Sequence, residues 1–169
     1  DNYMVFESYG GKKATDSVRA IYDELQKDEK FRSFYFVWAF TDPAAHFDLL
    51  ENHHTILVKK GTSAYRRYYA SARYWINNIT VADYLEPRKT QIYIETWHGT
   101  PLKRLVFDQE EVTSASPKYK QQFYRQRQEW DYLVSANPFS TKTFRSCFMY
   151  EGKMLEYGYP RNDILYWPN

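Results

Sequence analysis

A run of seven apolar residues, Phe34-Tyr35-Phe36-Val37-Trp38-Ala39-Phe40, stops abruptly at Thr41-Asp42-Pro43. With no polar residue alternating along it, such a run suits a strand covered on both faces, as strands are inside a parallel sheet. Shorter apolar runs predict further strands over residues 3–6, 55–58, 74–78, 91–95, 131–134 and 153–157. Between them the period lengthens. Val18, Ile21, Tyr22 and Leu25 fall at i, i+3, i+4 and i+7, one face of a helix that Thr15 or Asp16 is placed to cap. Residues 43–52 and 63–73 predict two more helices. Tyr119, Phe123 and Trp130 share one face of a long basic helix over 118–129, and Asn137-Pro138 opens another, with Asn as cap and Pro in the first turn. Strands alternating with helices predict an α/β chain: a Rossmann-like parallel sheet with helices on both faces, as one domain over residues 1–169.

Bulk properties narrow the partners. The chain has 23 basic and 21 acidic residues, so net charge announces no nucleic-acid footprint. The balance is uneven: residues 1–51 carry 10 acids and 6 bases, residues 52–169 carry 11 acids and 17 bases. Residues 59–73 hold five bases, three tyrosines and no acid, and residues 118–129 hold four bases and one acid. Aromatic residues interleaved with bases suit single-stranded nucleic acid, a sugar-phosphate polymer or an anionic bilayer; a plain solvated face is the commonest source of such a pattern. The single cysteine, Cys147, excludes an internal disulfide, and among Phe144, Phe148 and Met149 it reads as a core residue. No apolar run approaches the ~20 residues of a membrane span, and no signal-peptide pattern opens the chain. The expectation is a soluble, intracellular-type domain. The opening Asp1 and the closing Tyr166-Trp167-Pro168-Asn169 read as cut ends of a longer protein.

In a parallel α/β sheet, ligands gather at the carboxyl ends of the strands. Five polar or glycine-rich clusters follow predicted strands here: 7–11, 77–78, 97–100, 135–137 and 158–163. All five are expected on one rim. His98 is the sharpest candidate, an imidazole at a strand end followed by Gly99, with an ordinary pKa near ~6.5 suited to proton abstraction. Gly10-Gly11 between strand and helix resembles a phosphate-cradling turn without the third glycine of a dinucleotide fingerprint. The helix start at Asn137 offers backbone N–H groups to a phosphate. His46, His53 and His54 do not predict a metal site: adjacent histidines face different ways on most backbones, and no Cys or acid sits at ligand spacing.

Four strings occur in order: Ser71-Ala72-Arg73-Tyr74-Trp75-Ile76-Asn77-Asn78, Glu95-Thr96-Trp97-His98-Gly99-Thr100-Pro101-Leu102-Lys103-Arg104, Ser135-Ala136-Asn137-Pro138 and Gly158-Tyr159-Pro160-Arg161-Asn162-Asp163. Together with Phe6-Glu7-Ser8-Tyr9-Gly10-Gly11-Lys12 they resemble the CDP-glycerol glycerophosphotransferase family of teichoic acid primases and polymerases, over nearly the whole chain. The resemblance implies the acceptor-side, N-terminal half of a two-domain GT-B glycosyltransferase fold, with the second domain beyond this chain. It implies transfer of glycerol phosphate from CDP-glycerol to a lipid-linked or polymer hydroxyl with loss of CMP. No cofactor and no metal are implied, and the position is peripheral, at the cytoplasmic face of a bacterial membrane. His98 matches the family's motif histidine and is the expected base. Gly10, Gly11, Asn78, Thr100, Asn137 and Asp163 are the expected substrate-binding residues, with Lys103, Arg104 and Arg161 as counter-charges for polymer phosphates. The competing readings are a non-catalytic module that binds an anionic polymer or membrane through its basic aromatic face, and a free-standing nucleotide-binding domain.

Overall fold

The computed structural model describes residues 2–98, 121, 125–134, 141–142, 144–145 and 151–156. Seven strands form one parallel sheet: β1 (Tyr3–Glu7), β2 (Tyr35–Phe40), β3 (Thr55–Lys59), β4 (Tyr74–Asn77), β5 (Ile92–Glu95), β6 (Tyr132–Val134) and β7 (Lys153–Leu155). Their order across the sheet is β3-β2-β1-β4-β5-β6-β7. Strand succession therefore reverses between β1 and β4, the switch point of a doubly wound sheet.

The strands alternate faces, and each face has its own core. Met4, Phe6, Phe36, Trp38, Phe40 and Ile76 pack against Val18 and Tyr22 of helix α1 (Asp16–Lys27). Val5, Val37, Ala39, Trp75, Tyr93 and Leu133 pack on the other face with Tyr65 and Tyr69 of helix α2 (Ser63–Ser71). The uninterrupted run of β2 is thus explained: even-numbered residues serve the α1 face and odd-numbered ones the α2 face.

Capping differs between the two helices. Thr62 caps α2 by accepting the Tyr65 N–H. Thr15 occupies the cap position of α1 without a side-chain cap bond, and Asp16 takes φ +66°. Asp16 instead accepts a hydrogen bond from Asn78, so its side chain serves a tertiary contact. The segment after β2 is a kinked 3₁₀ helix, Pro43–Glu51.

The histidines correct one expectation. His54 has φ +49°, which turns its ring back onto His53, with centroids 3.7 Å apart. Each imidazole then binds a backbone carbonyl, His53 that of Arg32 and His54 that of Phe34. Among the described residues no group of three His, Cys, Asp or Glu could hold a metal ion, and no helix is long and apolar enough to cross a membrane.

Candidate active site

Three of the five predicted clusters meet at the switch point. The chain after β1 forms a 3₁₀ turn, Tyr9–Gly11, beside Asn78 at the end of β4. Asn78 ties the pieces: its Oδ1 accepts the Tyr9 N–H at 2.9 Å, and its Nδ2 donates to Ser8 Oγ and Asp16 Oδ2 at 3.4 and 3.2 Å. Its carbonyl faces Nδ1 of His98 at 3.1 Å. A carbonyl only accepts, so this contact places the imidazole proton on Nδ1 and makes Nε2 the basic nitrogen of the neutral ring. His98 is half-buried, stacks on Trp97 at 4.5 Å and leans on Tyr9 at 5.8 Å.

The two glycines do different work. Gly11 has φ +89°, and a Cβ there would lie 3.1 Å from the Thr41 nitrogen and 3.3 Å from Phe40 backbone atoms. Its carbonyl accepts the Thr41 N–H at 2.9 Å, so this turn is pressed onto the end of β2. Gly10, at φ +67°, faces only the end of Lys60 and Ile79. The N–H groups of Tyr9, Gly11 and Lys12 are bonded to Asn78, Ser8 and Tyr9 respectively, so most of the turn's donors hold its own shape.

Beneath this rim lies a buried polar layer, into which the structure turns Glu7 and Asn77 of the expected rim clusters together with Glu95. Glu7, Asn77 and Glu95 are register partners across β1, β4 and β5, all fully buried on the α2 face. Glu7 Oε1 accepts from Tyr65 and Tyr69 hydroxyls at 2.7 and 3.2 Å. Lys60 lies 3.5 Å from Glu7 Oε2, a charge contact without hydrogen-bond geometry, and donates to the Gly10 carbonyl at 3.0 Å. Asn77 Nδ2 donates to the Tyr69 hydroxyl at 3.3 Å. Glu95 accepts from the Tyr93 hydroxyl at 3.3 Å and from the Trp97 N–H at 3.1 Å. Burial pushes the Glu7 carboxyl above its ordinary range, against the lowering pull of Lys60 and the two tyrosines. Burial pushes Glu95 well above it, against the bonds from Trp97 and Tyr93. The same desolvation, together with the neighbouring carboxyls, raises Tyr65, Tyr69 and Tyr93.

The basic aromatic stretch needs a correction. Tyr65 and Tyr69 are buried and point at Glu7, so two of the three tyrosines of residues 59–73 are withdrawn from any aromatic surface between the bases. Arg66 and Arg67 are exposed, and Arg66 covers the exposed Tyr84 ring at 4.2 Å. Of the expected site residues, Gly10, Gly11, Asn78 and His98 come together. Thr100, Lys103, Arg104, Asn137, Arg161 and Asp163 lie outside the described residues, as do Tyr119, Phe123 and Cys147.

Comparison with known proteins now bears on this geometry. The family model described as CDP-Glycerol:Poly(glycerophosphate) glycerophosphotransferase matches residues 1–169. A teichoic acid poly(glycerol phosphate) polymerase of Staphylococcus epidermidis is 42% identical over 166 residues, covering 96% of this chain and 22% of that protein. One from Bacillus spizizenii is 33% identical over 172 residues, covering 100% of this chain and 43% of its own length. The solved structure of the wall teichoic acid polymerase TagF superposes with a TM-score of 0.87 at 40% identity, covering 98% of this chain and 40% of that one. A histidine-to-asparagine variant of TagF soaked with CDPG gives 0.84 at 39% identity, over 97% and 41%. The chain spans less than half the length of each of these relatives. It belongs to the CDP-glycerol:poly(glycerophosphate) glycerophosphotransferase family.

Proposed function

We propose that this chain is the acceptor-side half of a GT-B glycerophosphotransferase that moves glycerol phosphate from CDP-glycerol to a hydroxyl of a lipid-linked or polymer acceptor in teichoic acid synthesis. The observation that carries the reading is the His98 ring at the rim, held through Nδ1 by the Asn78 carbonyl so that Nε2 is its basic nitrogen. An acceptor alcohol is a weak nucleophile until a base takes its proton as attack proceeds. In the proposed step the hydroxyl oxygen bonds to the glycerol-bearing phosphorus, His98 Nε2 takes the hydroxyl proton, and the bond from that phosphorus to CMP breaks. CMP leaves with the electron pair.

This chain's part is positioning and proton removal. The turn after β1, the end of β4 and the end of β5 come together at one rim, and in this reading a second lobe closes over it with the donor. The structure of the TagF variant soaked with CDPG supports CDP-glycerol as donor. The peripheral station at the cytoplasmic membrane face belongs to the same proposal, since a lipid-linked acceptor confines the reaction there.

A second reading, a non-catalytic module for anionic polymer, is favoured among the described residues by the exposed pair Arg66 and Arg67. The test is CMP release from CDP-glycerol with acceptor, in the full-length transferase that carries this chain. His98→Ala should abolish it; turnover at the parent rate in that variant would overturn the base assignment. The isolated chain should release no CMP, because the donor side is not in it.

A further inference from the structure

We propose that Glu95 is a positioning residue for His98, acting through the backbone of Trp97. This rests on the base role argued above and extends it to a group with no contact to substrate.

The chain must leave β5 and, within three residues, place an imidazole over the end of β4. Thr96 still pairs with the sheet, its N–H donating to the Asn77 carbonyl at 2.8 Å. Trp97 then takes φ +53°, the left-handed region that a bulky side chain rarely adopts. Such a backbone persists only where its surroundings over-determine it. Here the residue is pinned from both ends. Glu95 Oε1 accepts its N–H at 3.1 Å, and the Thr96 hydroxyl donates to its carbonyl at 2.9 Å. The next residue is His98, whose ring stacks on the Trp97 indole at 4.5 Å and meets the Asn78 carbonyl at 3.1 Å.

The anchor itself is firm. Glu95 is fully buried, and its second oxygen is held by the Tyr93 hydroxyl at 3.3 Å. The requirement on the side chain is a hydrogen-bond acceptor at the reach of a glutamate. Burial pushes this carboxyl well above its ordinary range, and glutamine, with an amide oxygen acceptor at the same reach, is a close substitute in shape. Aspartate is one methylene shorter. Leucine fills the space and accepts nothing.

These differences define the experiment, run on the full-length transferase with CMP release as readout and thermal melting as the folding control. Glu95→Gln should turn over within about threefold of the parent. Glu95→Asp and Glu95→Leu should lower kcat by about tenfold to a hundredfold, the loss expected when a reacting group is misplaced by about 1 Å. KM for CDP-glycerol should stay within about twofold in all three, since the donor binds elsewhere. If Glu95→Leu does not fold, the Asp and Gln pair carries the same contrast. Folded Asp and Leu variants with the parent kcat would overturn the proposal, as would a Gln variant that is unfolded or as slow as Leu. His98→Ala is assayed alongside. Its full activity would sink the base reading itself, whereas an inactive His98→Ala beside fully active Glu95 variants would sink only the positioning role.

Discussion

Lys60→Met isolates the energetics of the buried layer. Lys60 Nζ sits 3.5 Å from Glu7 Oε2, and the Glu7 side chain is 0% exposed against 29% for Lys60. At an effective dielectric of about 20, two unit charges at that distance attract by about 5 kcal/mol. Partial exposure of Lys60 reduces this, and a Glu7 without its cation takes up a proton in place of staying charged, which caps the loss further. A net cost of about 2–3 kcal/mol at pH 7.5 remains, roughly 5–10 °C in melting temperature for a domain of this size. The pH dependence identifies the mechanism. The folded Glu7 carboxyl is raised above its unfolded value of 4.5, so burying it as an anion costs stability at high pH. That cost fades as pH falls toward the unfolded value. Removing Lys60 raises the folded value further, so the destabilisation should be largest near pH 7.5 and shrink to about 1 kcal/mol at pH 5, the remainder being the lost bond to the Gly10 carbonyl. Melts of the 169-residue chain at both pH values read this directly, with Lys59→Met, an exposed neighbour, as control for net charge. An equal loss at both pH values, or none at pH 7.5, would refute the charge-pair account.

Two further perturbations separate packing from binding. Gly11→Ala should cost about 2 kcal/mol or more, since a left-handed φ already costs about 1–2 kcal/mol and the new methyl meets backbone at 3.1 Å. Gly10→Ala, meeting only the side-chain ends of Lys60 at 3.6 Å and Ile79 at 3.7 Å, should cost about 1 kcal/mol; equal melting temperatures for the two would contradict the close approach to β2. Charge reversal by Arg66→Glu with Arg67→Glu should leave CMP release by the full-length transferase within about twofold. Loss of salt-sensitive retention on a glycerol-phosphate polymer in that variant, with retention intact in His98→Ala, would favour the binding-module reading.

The strands could be read from the chain within a residue or two because each is an apolar run bounded by turn chemistry. The run at 34–40 became β2 (Tyr35–Phe40), and the run at 91–95 became β5 (Ile92–Glu95). Their order could not be read, since nothing local to β4 says that it lies beside β1, where Met4 pairs with Tyr74 and Glu7 with Asn77, and pairing is decided by crossover and face. The site was legible as clusters following strands. That Glu7 and Asn77 of those clusters turn beneath the rim with Glu95 was not, although a signal existed. Glu7, Asn77 and Glu95 each end an apolar run, and a polar side chain at the last position of a buried strand has to find partners. Two of those partners, Tyr65 and Tyr69 beside Glu7 and Asn77, read as surface aromatics because they lie among arginines. Only the packing of α2 against β1 shows that spacing i, i+4 turned both hydroxyls inward.

The polar layer also bears on the proposed base, whose Nδ1 contact with the Asn78 carbonyl is set by the fold itself. At the switch point the chain leaves β1 toward α1 on one face, while α2 covers the other. Each strand's last side chain turns down into the α2 core, and its following backbone stays at the rim. The side chains do the anchoring: Glu7 through Lys60 to the Gly10 carbonyl, Asn77 to Tyr69, Glu95 to the Trp97 N–H. The rim's own polar groups, the Asn78 carbonyl above all, are thereby fixed in direction and remain to orient the imidazole. Preorganisation of this kind acts on rate more than on affinity, because the reorganisation cost is met in folding and not in the transition state. A layer whose disruption lowered only substrate affinity, leaving kcat untouched, would be inconsistent with that division of labour.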